Sequence, residues 1–334
     1  MKVAVALLAL SAAVGVSSVA LADIPAYTLV GQYALPQGAA AWDLGPDGRV
    51  WGIVGNSIVH QESLNGSTYT PLGSVPAGTV ASFGASFMRV SPTGQTIAIG
   101  DNNFGSGARV HFVPIAGLST GGPTATLSTL SGNFDGAWDG NQFYISGAGS
   151  DFVPYLQRIS FTDATGQPVA TQIITGIGGA SGGVAIRGGR VWTGVGFTNG
   201  SLATGDIRSF DLLVVNSAPS AVSYLTGAAI VGGPVLSASP LAFDAAGNLL
   251  VGGGDSFGGT SETGYAAVVD LATGQRLQLS PAGTQQVIYS VAFNNVTNEL
   301  LVTANGIAYR YAVPTPGACA VVAFGGLLAS RRKR

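Results

Sequence analysis

The chain has 334 residues but only one cysteine, two histidines, two lysines and three glutamates. The cysteine, Cys319, lies near the C-terminus, so the body has no disulfide and must be stabilised by sheet packing. In so apolar a stretch it reads as a small hydrophobe rather than a reactive thiol. The histidines, His60 and His111, are too few for a metal cluster, and no His-x-x-x-His pattern is present. A Ser-His-Asp hydrolase would need one of these two as its base. The lysines, Lys2 and Lys333, sit at the extreme ends. Between the ends, nine arginines face sixteen acids, so the body is acidic although the formal net charge is only −2. That lacks the basic footprint of a nucleic-acid binder.

Glycine is abundant, with 51 residues, and the total is 46% hydrophobic against 9% charged. Glycine with frequent Val, Ile, Thr, Phe and Tyr suits many short strands joined by tight turns. The runs Gly176-Ile177-Gly178-Gly179, Gly182-Gly183 and Gly252-Gly253-Gly254 precede no predicted helix, so they are turns and crowded strand ends, not phosphate cradles.

Residues 1–22 have the layout of a signal peptide forming a short helix. Lys2 supplies the positive region, Val3 to Leu21 is uncharged, and Ala20-Leu21-Ala22 is a cleavage site, so the mature chain is expected to begin at Asp23. Residues 314–334 are equally ordered in pattern. Pro314, Pro316 and Gly317 stop the preceding strand, Ala318 to Ser330 is an uncharged apolar helix, and Arg331, Arg332, Lys333 and Arg334 end the chain. Proline motif, apolar segment and basic cluster together resemble the PEP-CTERM sorting signal of exosortase systems. Thr315 stands where that family has Glu, and 13 apolar residues span about 20 Å as a helix against roughly 30 Å of hydrocarbon. The resemblance implies export, transient insertion in the inner membrane with the basic cluster inside, cutting by an exosortase-like enzyme, and delivery to the cell surface or extracellular matrix. A permanent C-terminal anchor is the alternative.

Residues 23–313 form one repeating body. An apolar strand, a Gly-containing turn and a second apolar strand recur six times, with turn residues at Gly48, Gly94, Gly140, Gly189, Gly247 and Asn298. Their separations of 46, 46, 49, 58 and 51 are those of an all-β, six-bladed β-propeller with about four strands per blade. Tight hairpins demand positive φ at these positions. Seven blades, using the longer spacing around 213–238, and a pair of β-sandwiches are the alternatives. Third strands are expected at 57–61, 108–113, 155–161, 206–212, 265–271 and 307–312. The sixth unit lacks a fourth strand before Pro314, while Ala26 to Tyr33 resembles the fourth strand of the first unit, Thr68 to Val75. The N-terminal strand should therefore complete blade six and close the ring, hiding edges that would template aggregation. The phrase Phe243-Asp244-Ala245-Ala246-Gly247-Asn248-Leu249 resembles NHL-type repeats, which implies a fold and no activity.

The candidate binding residues fall between second and third strands. Asp101, Asn102 and Asn103, then Asp151, then Asp255 and Glu262 lie in polar loops with Phe104, Phe152, Phe197 and Phe257 beside them. Such oxygens suit calcium, and the rings suit a polysaccharide. The plainer reading is that Asp, Asn and Gly form turns while Phe packs between blades. No cofactor is required by either. The function expected is a non-catalytic binding or structural module that meets the export machinery, an exosortase-like enzyme and a polysaccharide or surface protein. The alternative is a propeller hydrolase, lactonase or lyase, whose acids would have to converge from distant blades.

Overall fold

The computed structural model describes residues 24, 26–76, 84–101, 108–120, 125–128, 132–148, 153–161, 167–179, 182–196, 206–230, 238–254, 264–279, 288 and 290–313. These residues form six sheets, antiparallel apart from one short parallel pairing. The first strand, β1 (Thr28–Ala34), belongs to the last sheet. Blade one contains β2 (Ala39–Leu44), β3 (Val50–Val54), β4 (Ser57–Gln61) and β5 (Tyr69–Ser74). Blade two contains β6 (Ala85–Val90), β7 (Thr96–Asp101), β8 (Arg109–Pro114) and β9 (Ala125–Ser128). In blade three, β10 (Gly132–Asp139), β11 (Gln142–Ala148), β12 (Pro154–Phe161) and β13 (Pro168–Thr175) come in turn. Blade four has β14 (Val184–Arg187), β15 (Arg190–Gly194) and β16 (Ile207–Asp211), then a helix, α1 (Leu212–Ser217). After α1, β17 (Val222–Ser223) crosses back to pair in parallel with β13, and β18 (Ala228–Ala229) completes blade four. Blade five is β19 (Leu241–Phe243), β20 (Leu249–Gly253), β21 (Tyr265–Val269) and β22 (Arg276–Gln278). Blade six is β23 (Val291–Asn294), β24 (Glu299–Ala304), β25 (Ile307–Ala312) and, outermost, β1.

The innermost strands β2, β6, β10, β14, β19 and β23 each touch the next, and β23 touches β2. The six sheets are therefore a closed ring, a six-bladed β-propeller. The seven-blade and sandwich alternatives fall, because the long spacing around 213–238 is spent on α1, a 3-10 turn at Tyr224–Thr226 and the crossover β17. The first strand closes the ring as expected: Thr28 pairs with Ala312 and Ala34 with Ile307, antiparallel along the whole of β25. All six hairpin positions take positive φ, from 54° at Asn298 to 98° at Gly247.

Alternation along each strand sends successive side chains to opposite neighbours. On β7, Ile97 and Ile99 join a cluster with Ile53 and Ile58 of blade one, while Ala98 joins Phe143 and Ile159 of blade three. Six such clusters fill the six seams between blades. The seam between blades six and one holds Tyr33 against Trp42, Val50 and Leu301. A side chain at Gly183 would run into the Ser239 carbonyl, which is why the blade-four entry is glycine-rich.

Candidate functional site

Asp101 ends β7 and is fully buried. Its Oδ2 accepts hydrogen bonds from Arg109 Nη2 at 2.8 Å and Nε at 3.1 Å. Register places these two residues opposite one another, and Ile99 opposite His111, so Asp101, Arg109 and His111 share the face turned to blade one. His111 Nε2 stands 3.7 Å from Asp101 Oδ2, and its Nδ1 is 3.0 Å from the Thr126 hydroxyl. Asn133 Nδ2, on the inner strand of blade three, donates to the Arg109 carbonyl at 3.0 Å. A hydroxyl, an imidazole and a carboxylate thus lie in one row at the end of the ring that carries the loops between second and third strands. His60 lies apart on β4, edge-on to Trp51.

Of the other binding residues expected, Asn102, Asn103, Asp151, Asp255 and Glu262 lie outside the described residues. So do the expected leader 1–22 and the expected sorting-signal residues Pro314, Pro316, Gly317, Arg331, Arg332 and Arg334. Among the described residues no group of three or more His, Cys, Asp or Glu is arranged to hold a metal ion. No helix among them is long and apolar enough to cross a membrane. A small cleft opens between blades three and four, lined by Ser146, Tyr155, Ile177, Gly182 and Thr193.

The structure also assembles a charged row that sequence reasoning missed. Inner strands have no neighbour on their channel side, so their outer N–H and C=O groups need other partners. Asp43 Oδ2 on β2 accepts the Val90 N–H at 2.7 Å. Arg89 binds Asp135 and donates from Nε to the Gly136 carbonyl at 2.9 Å. Asp135 Oδ2 accepts the Val184 N–H at 2.9 Å, and Trp138 Nε1 donates back to the Arg89 carbonyl at 3.1 Å. Four blades are linked in sequence by one acid, one arginine and another acid. Each of these bonds ties one inner strand to the next, so the row is structural. Its one sequence signal is an arginine inside an apolar strand, Met88-Arg89-Val90.

Burial pushes the Asp43 carboxyl up from 3.8 to about 6, against the pull of Arg89 and the Val90 N–H. The ionised form is therefore less welcome in the fold than in the unfolded chain. Asp43 contributes most at low pH, and its contribution falls as pH rises from about 4 to about 6, by on the order of 3 kcal/mol. Asp43→Asn keeps an acceptor for Val90 and cannot ionise. The urea midpoint of the variant is expected to match the wild type near pH 4 and exceed it at pH 7. Equal midpoints at both pH values would contradict this.

A second polar cluster locks the ring closure. Tyr27, just before β1, donates its hydroxyl to Asp244 Oδ2 on blade five, and Asn248 Nδ2 donates to the Tyr27 oxygen at 3.0 Å. Burial and the Asp244 carboxylate push the Tyr27 hydroxyl up, so it stays a donor.

No protein-family model matches the chain, and no curated protein matches it. Among solved structures, 648 chains match, a breadth that points to a common fold rather than one activity. One is a chain in a crystal structure of the mitotic checkpoint complex, at TM-score 0.53 and 11% identity over 94% of this chain and 100% of that one. Identity that low carries the propeller architecture alone.

Proposed function

We propose that the chain is an exported cell-surface or extracellular-matrix protein, whose propeller is a non-catalytic binding or structural module and whose residues 314–334 are a sorting signal. The observation that carries this reading is where the ring is fastened. Thr28 pairs with Ala312 at one end of blade six, and Tyr27 and Val313 pack beside that pair in the seam with blade five, so the closure is complete within residues 24–313. A leader and a tail can then be removed without opening a blade. The polar loops with Asn102, Asn103, Asp151, Asp255 and Glu262 are the proposed contact for calcium or a polysaccharide. Asp101 is less suited to that role, since Arg109 already occupies its carboxylate.

Intact-mass analysis of the protein recovered from the cell surface or medium tests the reading. A chain beginning at Asp23 and lacking Arg331 to Arg334 is expected. Retention of Arg334 in a membrane-bound form would replace sorting by a permanent anchor, and retention of Met1 would contradict export.

A second reading, a propeller hydrolase, lactonase or lyase, draws on the row Thr126, His111 and Asp101. It requires turnover of ester or lactone substrates that His111→Ala abolishes.

A further inference from the structure

We infer that the blade-six end of the ring is a seat for a lipid bilayer surface, with the loops between second and third strands facing away from it. This inference rests on the proposed membrane insertion of the tail and adds an orientation to it.

The two chain ends fix the location. Ile24 and Val313, the first and last described residues, both pack into the seam between blades five and six. Val313 is held at the hairpin of β23 and β24, donating to the Asn298 carbonyl at 3.1 Å and accepting from Asn298 Nδ2 at 2.9 Å. Residues 314–334, with their uncharged run and basic end, therefore leave from that hairpin.

The surface there is apolar. Val296 in the hairpin is 52% exposed, and at the same end of the blade, across β25 on the outermost strand β1, Leu29 is 53% and Val30 48% exposed. Strict alternation would turn one of Leu29 and Val30 inward. Instead the register shifts between Leu29 and Gly31, leaving Val30 as the extra residue of a bulge, and both side chains face solvent. Bulges re-aim side chains in this way. Two nearby ion pairs are satisfied within the fold: Arg310 with Glu299, and Arg49 with Asp47 on the adjacent hairpin. Exposed apolar side chains beside the exit of an uncharged apolar segment that ends in arginines match the boundary between acyl chains and headgroups. A protein partner covering the same patch would have to leave room for that segment.

The test uses the chain from Asp23 to Arg334 with Cys319→Ser, carrying a single environment-sensitive fluorophore on cysteine at Val296 or, as the opposite-end control, at Val153, which is 45% exposed before β12. Vesicles of phosphatidylethanolamine and phosphatidylglycerol are the probe. The chain is expected to float with the vesicles, with a blue shift at position 296 and none at 153. The triple variant Leu29→Ser, Val30→Ser, Val296→Ser is expected to partition at least tenfold more weakly, since each apolar side chain withdrawn from the interface costs affinity. Flotation without a shift at 296 leaves the tail as an anchor and overturns the seat. Failure to float overturns the tail insertion and the seat with it. A shift at 296 that grows with protein concentration in the absence of vesicles assigns the surface to a second copy of the chain and overturns the seat.

Discussion

Arg89→Met is expected to lower stability by about 3–5 kcal/mol near pH 8, because removing one partner of a buried ion pair strands the other. Arg89 is the cation between two carboxylates, and the side chain of Asp135 is only 6% exposed. Burial already pushes the Asp135 carboxyl up despite Arg89 and two backbone donors. Without the guanidinium, both Asp43 and Asp135 would be more reluctant to ionise. The folded variant would then bind protons that the unfolded chain releases, so its stability rises as pH falls towards 5. Urea midpoints at pH 8 and pH 5, at constant slope, read both effects. Adding Asp135→Asn removes the stranded charge while leaving an acceptor for the Val184 N–H, and should recover part of the loss at pH 8. A loss under about 1 kcal/mol, or one that does not change between the two pH values, would contradict the structural role of the row.

Deleting residues 26–34 is expected to abolish the folded monomer. The deletion leaves β25 with an open edge along its whole length, the kind of edge that recruits other chains. It also empties the Tyr33 position between blades six and one and removes the Tyr27 lock on Asp244. No other blade supplies a replacement, because each already has its own outer strand. Size-exclusion chromatography and thermal melting are the readouts, with deletion of 1–22 or 314–334 as controls expected to melt like the parent. A monomer that melts cooperatively without residues 26–34 would mean the ring closes by some other contact.

The regular blades were legible because the hairpin glycines recur and each fixes its strands by turn chemistry. Third strands expected at 57–61 and 307–312 match β4 and β25 in full. Blade four was not legible in the same way. Leu212-Leu213-Val214-Val215 has strand composition, yet Asp211 Oδ1 accepts the Leu213 N–H at 2.8 Å and caps a helix there. An aspartate before that run was the available signal, and without it the expected third strand overran Asp211 by one residue. The row Asp43, Arg89 and Asp135 was hidden for a different reason. Its members lie in three separate blades, and only ring closure brings them together. The row Asp101, His111 and Thr126 was half visible: the loop flagged Asp101, but strand register was needed to bring His111 near it. The glycine-rich stretches read as crowded strand ends are so at Gly182 and Gly183, which abut the Gly194 and Ser239 carbonyls.

Disulfide trapping across the closure tests the central claim most directly. Gln32 and Tyr309 are antiparallel partners, and such partners have Cα atoms about 4.5–5.5 Å apart, within the reach of a disulfide. In the full chain with Cys319→Ser, Gln32→Cys and Tyr309→Cys are expected to join under mild oxidation, within one chain, with the loss of two hydrogens in the intact mass. Reduced cysteines after oxidation, or a bond formed only between chains, would mean that the ring is not fastened by its own first strand.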